Sequence, residues 1–167
     1  MDKFSLISAG LFSTAGICAI IAISSSEWIV EVGNNSKYGL MWSCLTLVNR
    51  THQICYTPVL SVEWLITLIL IFLGIICITT VVILLFASRW DRNVIFYARW
   101  IGFTAMVVFC LAAVIFPLGF YIEEINGAQF QLPNSHQVGI SYIFFILALW
   151  ITVISELFAG KICLPHF

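Results

Sequence analysis

Charge is what this chain has least of. Seven Lys or Arg and eight Asp or Glu make up 9% of its 167 residues, against 62% hydrophobic residues and a mean hydropathy of +1.07. A soluble domain of this length carries charge on about a quarter of its residues, so a water-exposed globular fold is excluded. The balance is near neutral at −1, with no long run of like charge, which suggests neither nucleic acid nor a strongly anionic lipid partner. Histidine is equally scarce. His52, His136 and His166 lie apart, each without a sequence-near acid or nucleophile, so no catalytic constellation emerges and neither metal nor cofactor is expected. A proton or ion pathway needs several intramembrane ionisable groups, and the apolar runs contain one, Glu156.

What the chain has instead is four long runs almost free of charge, about residues 4–26, 64–88, 100–122 and 139–160. At about 1.5 Å rise per residue, 22 helical residues cover the ~30 Å hydrocarbon core of a bilayer. The expected fold is therefore a membrane all-α four-helix bundle, a single tetraspan domain over residues 1–167. Two connections, about 27–63 and 123–138, share one side. Lys3, Arg89, Arg92, Arg99 and Lys161 fall on the other, whereas only Lys37 and Arg50 accompany the two connections. Basic residues near span ends stay cytoplasmic, so both termini are expected inside and both connections outside. A competing reading is a signal peptide cleaved near Ala22-Ile23-Ser24, but the first apolar run exceeds the usual length and only Lys3 precedes it.

The first outer connection carries two sequons, Asn34-Asn35-Ser36 and Asn49-Arg50-Thr51, so Asn34 and Asn49 are candidate glycosylation sites. Cys44 and Cys55 share that connection, and an oxidising compartment makes a disulfide between them the natural reading. Trp28 to Val32, Leu40 to Val48 and Ile54 to Thr57 are strand-like around the turn cluster Gly33 to Ser36, which predicts a small extracellular antiparallel sheet. Asn126-Gly127 is a turn dipeptide, and the alternation of Ala128 to Leu132 predicts one more strand before Pro133.

Other residues have plain structural readings. Trp64, Tyr121 and Tyr142 at outer span ends, with Trp90, Tyr97 and Trp100 at inner ends, are expected to form interfacial aromatic belts. Pro117 should kink the third run and free a carbonyl of its helical partner. Ala15, Ala19 and Ala22 line up for close helix packing. Cys18, Cys77 and Cys110 read as small hydrophobes, and Cys163 as an interfacial thiol in reach of S-palmitoylation. Glu156 either reaches a partner helix or Arg99, or snorkels to the cytoplasmic interface beside Lys161; the latter is the expectation.

Trp28, then Gly39-Leu40-Met41-Trp42-Ser43-Cys44 and Cys55, resemble the W, GLW-x-x-C, C signature of the claudin and peripheral-myelin-protein superfamily, with Met41 displacing the tryptophan by one position. That resemblance implies a left-handed bundle capped by an outer sheet with the two cysteines bridged. Tyr97-Ala98-Arg99-Trp100-Ile101, Phe116-Pro117, Gly119 to Ile122, Leu132-Pro133-Asn134 and Phe158-Ala159-Gly160-Lys161 resemble the modulator-of-Smoothened family, nearly end to end. What this implies is a non-enzymatic adaptor that attenuates Hedgehog signalling by lowering surface and ciliary Smoothened. Its implied company is a membrane protein bearing multiple EGF-like domains and a RING ubiquitin ligase of mahogunin type, with Smoothened as client. It would reside in the plasma membrane and primary cilium membrane. The alternatives are a claudin-like junction protein or an auxiliary subunit of a channel or receptor. Candidate partner contacts are Trp28, Trp42 and Phe130 on the sheet, and Glu156.

Overall fold

The computed structural model describes residues 3–31, 37–41, 43–46, 53–56, 62–88, 90–91, 93–118 and 136–163. Four helices dominate it: α1 (Lys3–Ser24), α2 (Val62–Ala87), α3 (Val94–Leu118) and α4 (Ile140–Cys163). All four are long and apolar enough to cross a membrane. They form a ring in which α1 packs on α2 and α4, and α3 packs on α2 and α4. The helix limits differ from the uncharged runs. Helix α3 begins at Val94, ahead of Arg99 and Trp100, so the connection between α2 and α3 shrinks to residues 88–93. A charge at a helix end can sit at the membrane surface without ending the helix, so charge-free runs mark bilayer depth better than helix boundaries.

Side-chain size explains how the helices approach. On α1 the buried stripe is Ser8, Ala9, Phe12, Ala15, Ala19 and Ala22; on α4 it is Ser141, Phe145, Ala148, Thr152 and Ser155. Lipid tails compete fully with apolar side chains, so helix association in a bilayer depends on close packing, and small residues allow it. Ala15, Ala19 and Ala22 thus serve packing within the bundle. Three of these hydroxyls find partners without water: Ser8 Oγ donates to the Ser155 carbonyl at 3.3 Å, Thr152 Oγ1 to that of Ala148 at 2.8 Å and Ser155 Oγ to that of Ile151 at 2.7 Å, while Ser141 Oγ is buried with no partner among the described residues. Between α2 and α3 the fully buried Phe109 ring lies against Gly74, where a Cβ would overlap it. Large apolar side chains such as Ile17, Ile69, Ile83 and Leu147 point outward, as a lipid-facing surface requires.

The outer sheet holds β1 (Ile29–Glu31), β2 (Lys37–Tyr38), β3 (Ser43–Thr46), β4 (Gln53–Tyr56) and β5 (His136–Val138). The order is β4-β3-β2-β1-β5 with every pair antiparallel. Register places Cys44 opposite Cys55, and the two are bridged, with Cα atoms 4.1 Å apart. The strand expected at residues 128–132 lies outside the described residues. A strand that the sequence did not announce, His136–Val138 after Pro133, pairs with β1. The pairing is favoured where the chain is already anchored, because β5 runs directly into α4. Gly139 donates its N–H to the Trp28 carbonyl at 2.9 Å and Ser141 to the Glu27 carbonyl at 3.1 Å. Gly139 is required at this approach, since a Cβ would collide with the Glu27 carbonyl.

Candidate functional surfaces at the two ends of the bundle

At the outer end, three aromatic side chains donate to helix carbonyls. Helix α1 stops at Ser24, and the carbonyl of Ala22 in its last turn accepts from Trp28 Nε1 at 2.8 Å. Pro117 has no N–H to offer Ala113, four residues back, and the Tyr142 hydroxyl of α4 donates there at 3.1 Å. Phe116 sits in the last turn of α3, and its carbonyl accepts from Trp64 Nε1 of α2 at 3.2 Å. The rings that carry these donors stack into one cluster. Phe116 lies 5.0 Å from Trp28, 5.3 Å from Trp64 and 5.2 Å from Tyr142, while Phe145 lies 5.6 Å from Trp28 and 5.5 Å from Phe109.

Two expectations fall with that geometry. Trp64 and Tyr142 do not belong to an interfacial belt: Trp64 is 3% exposed and both turn their polar ends to helix carbonyls. Trp28 is not presented on the sheet for a partner, because it is 1% exposed and wedged between the ends of α1, α3 and α4. The freed carbonyl at Pro117 was readable from the sequence; that Tyr142 answers it needed the helix packing. Of the other motif residues, Gly39 and Leu40 are buried beneath the sheet, Cys44 is buried and Cys55 exposed. Trp42, Phe130, Asn34 and Asn49 lie outside the described residues. Lys37 and Glu27, half-buried, form an ion pair at 2.6 Å that ties β2 to the α1–β1 junction.

Inside the bundle, Glu156 departs from the snorkelling expectation. Its Oε2 is buried against α3, 2.5 Å from where a Cβ on Gly102 would stand, with Phe12 of α1 beside the same spot. The glycine leaves a notch that the carboxylate fills. Arg99, one turn earlier on α3, is the basic group in electrostatic range. The side chain thus points between helices, which suits an internal contact with α3 and not a partner at the lipid-facing surface. Among the described residues no group of three or more His, Cys, Asp or Glu could hold a metal ion.

The inner end is the opposite of the outer. Trp90 is 84% exposed, and Phe96, Tyr97 and Trp100 on the first turns of α3 are exposed as well. Phe96 packs edge-on to Tyr97 and to Trp100, each at 6.1 Å, and none of the three is drawn into the core. The exposure of Trp90, Tyr97 and Trp100 is what an interfacial position would require. Cys18 and Cys77 are half-buried between helices and Cys110 faces outward. The side chain of Cys163 lies outside the described residues.

The family model described as Attenuator of Hedgehog matches residues 25–165, from the end of α1 through α4. The chain belongs to the Attenuator of Hedgehog family. Every outer strand, the disulfide and the aromatic cluster fall within the matched stretch. Membership means attenuation of Hedgehog signalling, in agreement with the modulator-of-Smoothened resemblance, and the four candidate spans make this attenuator a multi-pass membrane protein. The match does not bear on the claudin superfamily, to which the likeness is one of motif and of a sheet on a four-helix bundle.

Proposed function

We propose that this Attenuator of Hedgehog chain is a non-enzymatic membrane adaptor that lowers the amount of Smoothened at the cell surface and primary cilium. It works within a membrane-tethered ubiquitin ligase complex. A membrane protein with multiple EGF-like domains engages it, a mahogunin-type RING ligase supplies the catalysis, and Smoothened is the client. The observation that carries the reading is the family match over residues 25–165. The way the bundle uses its polar side chains supports it. The hydroxyls of Ser8 and Tyr142 and the indole N–H of Trp64 join one helix to another, whereas Thr152 and Ser155 donate within α4 and Trp28 to the end of α1. Both termini are cytoplasmic in this reading, and the sheet faces outward with Asn34 and Asn49 available for glycan. With Trp28 buried, Trp42 and Phe130 remain the aromatic candidates for partner contact on the sheet.

Deleting the protein in Hedgehog-responsive cells, with surface and ciliary Smoothened quantified beside transcriptional output, tests the reading. Smoothened at both locations and the response to ligand should rise, and the ligase should copurify with the tagged wild-type protein from mild detergent. Raised signalling with unchanged Smoothened would retain the attenuator and remove the adaptor mechanism.

A further inference from the structure

The buried face of α3 tapers from one end of the bundle to the other. Spaced by four and three, its residues run Phe116, Ala112, Phe109, Ala105, Gly102 and Ala98, so rings fill the outer half and small side chains leave room in the inner half. Helix α4 meets that face in one antiparallel register. Phe116 stacks on Tyr142 at 5.2 Å, Phe109 packs edge-on to Phe145 at 5.5 Å, and Glu156 reaches the notch at Gly102, as far along α4 from Tyr142 as Gly102 is along α3 from Phe116. Phe116, Phe109 and Phe145 are fully buried and have no second place to sit. The carboxylate has one. Its Oε2 is buried with no hydrogen-bond partner among the described residues, and an acceptor kept from water without a donor is costly. Arg99, ~4.5 Å nearer the inner end of α3 than Gly102, acts on Glu156 electrostatically without donating to Oε2. A glutamate covers such a distance by rotating its own side-chain torsions. The seam it occupies is the thinner kind in this bundle: α1 packs on α4, and α2 on α3, more extensively than either pair packs on the other. Packed helices shift against one another by small slides along such seams.

We infer that Glu156 is a two-position latch on the α3–α4 seam. Seated in the notch it plugs the inner half of the seam, against Gly102 and Phe12, and holds the two helix pairs together there. Turned to Arg99 it gains a charge partner, vacates the notch and frees the inner ends of the pairs to slide. The outer half stays shut in both positions, because its ring contacts and the Tyr142 bond to the Ala113 carbonyl do not involve the carboxylate. Gly102 makes the seated position available: a Cβ there would stand 2.5 Å from Oε2 and 3.0 Å from the Phe12 ring. The latch belongs to the bundle itself and holds whether or not the adaptor reading does.

Spin labels on lipid-facing positions report the seam in the full-length protein in nanodiscs, with Cys18, Cys77, Cys110 and Cys163 changed to alanine and the Cys44–Cys55 bridge kept. Trp100→Cys with Leu157→Cys labels the inner end and Val114→Cys with Ile143→Cys the outer, all four being exposed positions. Double electron–electron resonance should find two distances at the inner end and one at the outer. Arg99→Gln removes the second partner and should deplete one inner distance about tenfold. Gly102→Ala denies the notch and should deplete the other by a similar factor, about tenfold, with the outer distance unchanged in both. A single inner distance common to the wild type and both variants, two inner distances indifferent to Arg99→Gln, or an equal change at the outer pair would overturn the latch. If Gly102→Ala does not assemble with its bridge intact, Arg99→Gln and Glu156→Gln decide. Collapse of both onto the same inner distance supports the latch, and an inner distribution that neither changes overturns it.

Discussion

The two ends of this bundle are built from the same kinds of residue and use them in opposite ways. At the outer end Trp28, Trp64 and Tyr142 are folded inward, each donating to a carbonyl in the last turns of a helix or opposite Pro117. At the inner end Trp90, Tyr97 and Trp100 are turned outward and hold no helix together. The difference follows from what each end must do with its backbone. The outer ends of α1, α3 and α4 meet beneath a sheet, where water is excluded and an unpaired carbonyl is costly. The α2–α3 connection is short and no sheet covers it among the described residues, so its rings are not drawn inward to serve backbone carbonyls.

The largest expected contrast sets one tryptophan against another. Trp28→Ala removes a fully buried ring, its stacking on Phe116 and Phe145, and the donor to Ala22, and should cost about 3–5 kcal/mol. Trp100→Ala, at an exposed position, should cost less than about 0.5 kcal/mol. Denaturation in mixed micelles, followed by loss of helical signal, measures both. Similar losses for the two would show that the ends do not differ as described.

Next in size is the disulfide. Five strands of two to four residues have little core of their own, so the Cys44–Cys55 bridge should contribute about 2–4 kcal/mol to the sheet. Cys44→Ser should reduce surface delivery and protection of the outer connection against protease, while the helical content of the bundle stays near that of the wild type. Peptide mapping that finds both thiols free in the native protein would remove the bridge from the argument. If the helices melt together with the sheet, the outer end is a single cooperative unit with the bundle, and the comparison would have to be drawn between larger regions.

How much of this was legible before the fold is itself unequal between the two ends. The four helices were plain, because a run of more than twenty mostly apolar residues with at most one charge has one stable state in a bilayer. Strands β1, β3 and β4 and the cysteine pair were also readable, from β-branched residues between turn signals and from two cysteines sharing one connection. Strand β2, two residues long, left no periodicity to read, and neither did β5, three residues that form where α4 anchors the chain. The inner aromatics are exposed, as an interfacial reading of Trp90, Tyr97 and Trp100 requires. Trp64, Tyr142 and Trp28 were misread, since a sequence reports depth along a span but not which way around the helix a ring turns. Glu156 was misplaced for the same reason: distance from Lys161 suggested the interface, whereas the notch at Gly102 on another helix receives it.

The smallest expected effect is the sharpest test of how the outer end works. Tyr142→Phe keeps the ring against Phe116 and Trp28 and removes only the hydroxyl that donates to Ala113. Its expected cost is about 1 kcal/mol, or somewhat less, because hydrogen bonds between membrane helices average nearer 0.6. That cost exists only because Pro117 leaves the Ala113 carbonyl without an amide. Pro117→Ala restores an N–H four residues on, and in that background Tyr142→Phe should cost close to nothing, whatever Pro117→Ala does by itself. A double-mutant cycle over the four proteins therefore reports the coupling directly. A penalty for Tyr142→Phe that is the same with proline or alanine at position 117 would mean that the hydroxyl serves something other than the freed carbonyl. The outer aromatics would then be packing residues whose polar ends point inward without consequence.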